Sequence, residues 1–430
     1  MTLSNAEQYL LELMNRARLD PGAEAARFGI DLNKDLAPGT LTATAKQVLA
    51  PNALLETAAT LHSQWMLAQD IFSHTGEGGS DPGQRITAQG YVWQTYGENI
   101  AFVGTTGSIV LETAIAQINQ NLFLSAGHRE NLMNGAFREV GLGAETGVFT
   151  SAGTDYNAEM VTEDFGTSGT ARFLTGVAYS DANHDAFYSI GEGQAGVTFT
   201  AGGFSAQTQA AGGYALAAGT ASATAVTGSA GGLAFSLTVD MSLGNVKLDL
   251  VGGTQFFSSG SLTLGTGVND ARLLGIGVVR ATGNAAGNHL TGNAGANVLA
   301  GMSGADVLSG EGGNDRLSGG GGADQMQGGL GNDTLRGDAG NDVLTGNAGA
   351  DVFVFTKGGG IDQITDFSLT EHDRLQLDHL LWTGTQTAAE VISHFATVGS
   401  GEVLFSFGSA TLHLAGVMTL IGLEAQIQLI

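Results

Sequence analysis

The chain has 430 residues, room for about two to four domains, and 43% of them are hydrophobic, enough for sizeable cores. A net charge of −25 from only 13% charged residues leaves no basic cluster, which excludes nucleic acid and anionic lipid as partners and favours cations. The absence of cysteine excludes disulfides, thiolate metal sites and a cysteine nucleophile, and no apolar run has the length of a membrane span.

The first segment, "MTLSNAEQYLLELMNRARLDPG", spaces its apolar residues at helical intervals and predicts an amphipathic helix. It has no cationic stretch followed by an apolar one, so it does not read as a cleavable export signal. An export route, if there is one, must be written elsewhere. Helical periodicity continues to about residue 169. Four motifs stand in this part: "LMNRARLDPGA", "IFSHTGEGGSDPGQRITAQGY", "YGENIAF" and "SAGHRENLMNGAFREVGLG". In this order and spacing they resemble the bacterial branch of the CAP superfamily (cysteine-rich secretory proteins, antigen 5, pathogenesis-related proteins) over roughly residues 4–166.

That resemblance implies an α-β-α sandwich with a central groove. His74 in "FSH", Glu98 in "GEN" and His128 in "GHR" match the family's groove residues. Two imidazoles and a carboxylate suit a borderline divalent metal such as zinc, with one position open for water. The same three groups suit an acid–base pair, or a mutually bonded set that holds the fold. The family's second groove glutamate usually follows a tryptophan in the helix before the second histidine. Here that helix reads "TAIAQINQNLFLSAGH" and holds neither, and Glu112 lies too far upstream. Ser125 stands three residues before His128, with nothing to make it a nucleophile. The H-E-x-x-H of a metalloprotease, the G-x-S-x-G of a lipase, the P-loop and the dinucleotide fingerprint are all absent.

From about 170 to 265 short alternating runs such as "ARFLTGVAYSD", "AGVTFTAGG" and "NVKLDLVG" predict a small antiparallel Greek-key sandwich. Within it, "DANHDAFYSIGE" places Asp181, Asn183, Asp185 and Glu192 at the ligand spacing of an EF-hand calcium loop. Ala186 stands where an EF-hand needs glycine, and the flanks read as strands. The segment is similar to the calcium-loop B-type repeats of bacterial surface adhesins, which implies a spacer. The alternative is a polar turn whose side chains bond their own backbone.

Residues 283–354 fall into blocks of nine. Glycine opens every block, at Gly283, Gly292, Gly301, Gly310, Gly319, Gly328, Gly337 and Gly346. The sixth place is Asn288 and Asn297, then Asp306, Asp315, Asp324, Asp333, Asp342 and Asp351. The eighth place is always apolar, from Leu290 to Phe353. A flexible linker has no reason to keep that count. The period predicts a parallel β-roll: a short strand around each apolar residue, a glycine turn between strands, and two blocks per coil. Asp306, Asp324 and Asp342 then stack along one edge and Asp315, Asp333 and Asp351 along the other. Neighbouring strands sit ~4.8 Å apart, so bare carboxylates would repel and a hard, oxygen-seeking cation would relieve them. One apolar side chain per nine glycine-rich residues is too little burial to order the chain alone, which couples folding to ion binding. These blocks resemble the repeats of RTX proteins, and "ADVFVFTKGGGIDQITDFSLTEHDRLQLD" resembles the lead into their C-terminal export signal. The resemblance implies calcium as ligand and a type I secretion machine as partner. A β cap over the open end of the roll is the alternative for 375–430, and both can hold.

The expectation is therefore a multidomain chain with a CAP domain at 1–169, a β-sandwich spacer at 170–265, a β-roll at 283–354, and a cap with an export signal at 355–430. It is expected outside the cell or on its surface, binding several calcium ions. Its groove is read as a module for a metal, a small ligand or a protein partner. The alternatives are a metal-dependent, peptidase-like hydrolase and a structural adhesion protein.

Overall fold

The computed structural model describes residues 3–430. They form two compact units, one of residues up to 234 together with 239–253, the other of 235–238 with 254–430.

In the first unit the helices are α1 (Asn5–Leu19), α2 (Pro21–Arg27), α3 (Ala53–Gln69), α4 (Pro82–Ala88), α5 (Leu111–Leu124) and α6 (Ala126–Leu132). Its strands are β1 (Ala50–Pro51), β2 (Thr95–Thr105), β3 (Glu139–Ser151), β4 (Thr154–Thr167), β5 (Phe173–Tyr179), β6 (Thr198–Ala201), β7 (Phe204–Gln207), β8 (Gly213–Ala217), β9 (Thr224–Ala230), β10 (Leu233–Val239, shared with the second unit) and β11 (Val246–Val251). The N-terminal helix is where the sequence puts it, opened by a capping box between Ser4 and Glu7 that satisfies two otherwise unpaired amides.

A four-stranded sheet in the order β1-β3-β4-β2 is the centre. Helices α1 and α5 cover one face, with Leu10, Met14, Ile115, Ile118 and Phe123 in one core with Val140 and Val161. Helix α3 covers the other face very closely. A Cβ on Gly141 or Gly143 would collide with the backbone of Leu55 or Ala59, so "VGLG" is what lets the helix lie on the sheet. Two arginines of the sequence motifs are buried struts. Arg18 donates to the carbonyls of Gln47, Leu132, Asn134 and Phe137. Arg129 of "GHREN" donates to those of Leu32, Phe123, Leu124 and Lys34.

Strands β5 to β9 and β11 pair in two runs, β11-β5-β8 and β9-β6-β7, with Phe199 and Tyr214 stacked between them at 3.9 Å. The sequence suggested a purely antiparallel sandwich. Instead β5 and β11 run parallel, Leu174 opposite Val246. A parallel neighbour requires a long crossover, and the whole stretch carrying β6 to β9 supplies it.

The second unit is a parallel β-solenoid. Val298, Leu299 and Ala300 pair with Arg316, Leu317 and Ser318, and these with Thr334, Leu335 and Arg336. Partners are eighteen residues apart, so two blocks of nine close one coil. The eighth-place residues Leu290, Leu299, Leu308, Leu317, Met326, Leu335, Leu344 and Phe353 fill its interior at 3% exposure or less. The ladder is longer than the repeats. It begins with Gln255–Ser258 on Asp270–Leu273, inside the segment the sequence assigned to the sandwich, because a ladder needs only strands and not the repeat's glycines. Beyond the repeats, Val352 pairs with Arg374, Ile361 with Thr411, and Leu375 with Ile427, so strands within residues 355–430 continue the ladder.

Candidate functional site

Two places gather chemistry, a groove on the first unit and the turns of the solenoid.

The groove brings His74, Glu98 and His128 together from the α3–α4 connection, β2 and α6. Glu98 is buried, and its Oε1 accepts from His74 Nδ1 at 2.7 Å. The His74 and His128 rings lie 6.5 Å apart. The sequence reading missed the fourth member, Arg85 of α4. Its guanidinium pairs with Glu98 Oε2 and donates to the carbonyls of His74 and Ser80. Both Glu98 oxygens are thus occupied, one by a permanent cation. A divalent metal at this carboxylate would face the guanidinium at close range, so the donor set does not fit zinc. Among the described residues no group of three or more His, Asp or Glu side chains is placed to hold a metal. Of the trio, His74 and Glu98 are bonded to each other, while the His128 ring stands beside His74. Glu112 opens α5, and its charge acts on Tyr9 rather than on the groove.

Beneath Glu98 lies Asp164, directly opposite it on β4, with both carboxyl oxygens buried and unpartnered. Burial first, then the charge of Glu98, holds the Asp164 carboxyl well above the usual carboxylate range. Its neighbour Glu163 accepts from Asn99 Nδ2 and is pushed by burial up to about 7. Burial, then the neighbouring His74, lowers His128 below the ordinary imidazole range. Arg85 is the counter-charge of this acidic pocket. Arg85→Ala is expected to destabilise the first unit by ~3 kcal/mol in a thermal melt, since it strands a buried carboxylate. A loss below ~1 kcal/mol would show the pair to be a solvated one.

Asp181, Asn183, Asp185 and Glu192 also meet in one loop, but their oxygens serve the loop itself. Asp181 Oδ1 accepts the amides of Asp185 and Ala186. Asp185 Oδ1 accepts that of Phe187, and Glu192 those of Ala182 and Ser189. Asn183 Nδ2 donates to Asp185 Oδ2. Ala186, where glycine was missed, sits at φ 59. These oxygens thus accept amides of the loop itself.

The solenoid turns are different. Asp324 Oδ1 accepts the Asp306 amide and Asp342 Oδ1 that of Asp324, while Asp333 serves Asp315 and Asp351 serves Asp333. The other oxygen, Oδ2, of Asp306, Asp315, Asp324, Asp333, Asp342 and Asp351 is buried with no partner. Each points into the space left by the glycine that opens its own block. A Cβ on Gly301 would run into Asp306 Oδ2 and Gly319 O, and one on Gly310 into Asp315 Oδ2 and Gly328 O. These are oxygen-only cradles holding buried charge, and they fit a hard cation that takes carboxylate and carbonyl ligands. Both rows run past the repeats, since Asp362 accepts the Asp342 amide and Asp373 that of Asp351. Burial pushes Asp362 up to about 8.

Comparison with known proteins agrees with this division. Residues 11–156 match the cysteine-rich secretory protein (CAP) family, and 282–317, 291–326, 318–353 and 327–364 match the RTX calcium-binding nonapeptide repeat. No curated protein matches the chain. Among solved structures it is similar to an extracellular protein containing an SCP domain from Bacillus anthracis, at 25% identity over 28% of this chain and 34% of that one, with a TM-score of 0.22. An outer surface protein from Borrelia burgdorferi is similar at 18% identity over 36% of this chain and 96% of that one, TM-score 0.22. The extracellular lipase LipA from Serratia marcescens is similar at 17% over 39% and 41%, TM-score 0.20. The chain spans about a third of the length of the Bacillus anthracis protein. Its residues 11–156 are a CAP domain, and its residues 282–364 are RTX calcium-binding repeats.

Proposed function

We propose that this is an exported calcium-binding protein whose roll orders on calcium outside the cell and presents the CAP domain for binding. The observation that carries the reading is the double row of buried, unpartnered aspartate oxygens, each in a cradle that only glycine leaves open. Calcium would be held by Asp306, Asp315, Asp324, Asp333, Asp342 and Asp351. Equilibrium dialysis of the full chain tests this. Asp315→Asn with Asp333→Asn is expected to lower the number of ions bound, and unchanged stoichiometry would remove the assignment.

The groove is read as a binding site rather than a metal hydrolase. Arg85 already neutralises the carboxylate that a metal would need, leaving His74 and His128 to meet a small ligand or a protein partner. Strands β5 to β9 and β11 act as spacer. Export is assigned to a type I machine reading the C-terminal segment. Deleting residues 375–430 is expected to retain the protein in the producing cell, measured as the secreted fraction, and normal secretion of the truncated chain would overturn the route.

A further inference from the structure

The repeats divide into two chemistries at their sixth place. Where it is aspartate, one carboxyl oxygen is always left without a partner. Where it is asparagine, at Asn288 and Asn297, every polar atom is engaged. Asn288 Oδ1 accepts the Asn284 amide at 2.8 Å, and its Nδ2 donates to Asn269 O and Asn284 Oδ1. Asn297 repeats this nine residues on, with Oδ1 on the Asn293 amide at 2.6 Å and Nδ2 on Gly277 O, Val279 O and Asn293 Oδ1. The second place joins in, and only in these two blocks does it pair an asparagine with an asparagine at the sixth. Asn284 Nδ2 donates to Gly265 O and Val268 O, and Asn293 Nδ2 to Leu274 O and Gly277 O. Their own oxygens accept the amides of Ala286 and Gly295.

We infer that the first coil of the repeats, residues 283–300, takes no ion. The oxygens that Asn288 and Asn297 turn toward Gly283 and Gly292 already accept the backbone amides of Asn284 and Asn293, and the coil is a calcium-independent template from which the rest of the roll folds. The chemistry is a substitution of one positive group by another. Carbonyl and carboxylate oxygens of successive coils face each other and need a positive partner between them. In the later coils only a cation can supply it, since no donor reaches the free oxygens. In the first coil the backbone N–H groups of Asn284 and Asn293 supply it, and Asn carries no charge to repel its neighbour. The template also presents the next coil's docking points. Asp306 Oδ1 already accepts the Asn288 amide and Asp315 Oδ1 the Asn297 amide. Adding a coil to a formed edge avoids the nucleation cost, so ordering spreads from this end as calcium arrives.

The inference rests on the calcium reading of the aspartate coils, and hydrogen exchange on the full chain separates the two. In chelator, peptides from 283–300 are expected to exchange about tenfold or more slowly than those from 306–354, a tenfold step being ~1.4 kcal/mol. Calcium should then slow the second set and leave the first nearly unchanged. Asn288→Asp with Asn297→Asp should erase the protection of 283–300 in chelator and restore it in calcium. Asn284→Ala with Asn293→Ala should erase it too, and raise the calcium midpoint of 306–354 about tenfold. If calcium changes neither region, both readings fall. If 306–354 responds but 283–300 is equally unprotected in chelator, or stays protected in both double variants, the template is wrong and the calcium sites stand.

Discussion

In chelator at neutral pH the aspartate coils are expected to be unfolded, and either calcium or acid should fold them. The carboxyls that would hold calcium are buried together, and in the ion-free roll burial pushes Asp306 up to about 6, Asp315 to about 7, and Asp342 and Asp351 to about 6. An unfolded aspartate titrates near ~3.9. Folded values above the unfolded one mean that protons bind the folded roll better. The contribution is complete below about pH 4 and is lost as pH rises through about 6 to 7. Ionising one carboxyl held near 6 costs the fold ~3 kcal/mol, and several lie in each row. Calcium does at neutral pH what protons do in acid, and the two compete. Acidification should therefore strengthen the calcium-free roll and weaken its affinity for calcium. Circular dichroism of the full chain in chelator at pH 4.5 and 7.5 measures the first effect, and calcium titration at the same pH values the second. A chelator spectrum with full β signal at pH 7.5, unmoved by millimolar calcium, would end the argument. Extracellular calcium modules bind at ~10⁻⁴–10⁻³ M, so a chain of this kind stays unfolded where calcium is scarce and orders where it is plentiful.

The roll was legible because its period is its structure. Each eighth-place apolar residue is a core position, and each sixth-place aspartate lies in its row. Asp362 and Asp373 were missed because the turns before them are longer, giving spacings of 20 and 22 that break a count of nine but not the hydrogen-bond register. In the groove, His74, Glu98 and His128 were legible through their motifs, whereas Arg85 was not. A signal existed, since Arg85 is the sole Lys or Arg between residues 47 and 128 and so the natural counter-charge for a buried glutamate there. Asp164 left no such trace, because only the pairing of β2 with β4 puts it under Glu98. The middle loop is ambiguous for a different reason. Ligand spacing is also Asx-turn spacing, and sequence does not say whether the oxygens face an ion or their own amides.

The same limit hid the most consequential buried charge of the first unit. In "NVKLDL" alternation assigns Lys247 and Asp249 to a solvent face, yet every residue of β11 is buried, because α1 lies across that face. Lys247 Nζ bonds Glu12 Oε2 of α1 at 2.7 Å and pairs with Asp249 of its own strand. Gln8 donates to Glu12 Oε1, and Asp249 Oδ1 accepts the Val177 amide. One ammonium thus serves two buried carboxyls, and burial pushes Glu12 up to about 7 despite it. Lys247→Met keeps the volume and removes the charge, which leaves two carboxyls in an apolar contact. It is expected to destabilise the first unit by ~3–5 kcal/mol at pH 8, the cost of breaking a buried ion pair. The loss should shrink toward pH 5. Glu12 titrates higher folded than unfolded, so its protonated form favours the fold, and that stability, present in acid, is lost as pH rises through about 7. Adding Glu12→Gln and Asp249→Asn to Lys247→Met should return most of the stability, because a neutral, hydrogen-bonded contact no longer has stranded charge. Denaturant unfolding in calcium, followed through Trp65 and Trp93, reads this unit. A loss below ~1 kcal/mol, or one independent of pH, would show that water reaches the cluster. The expected loss, by contrast, would make α1 of the CAP domain and strand β11 one cooperative body, so that the groove is carried on a platform reaching beyond the CAP domain itself.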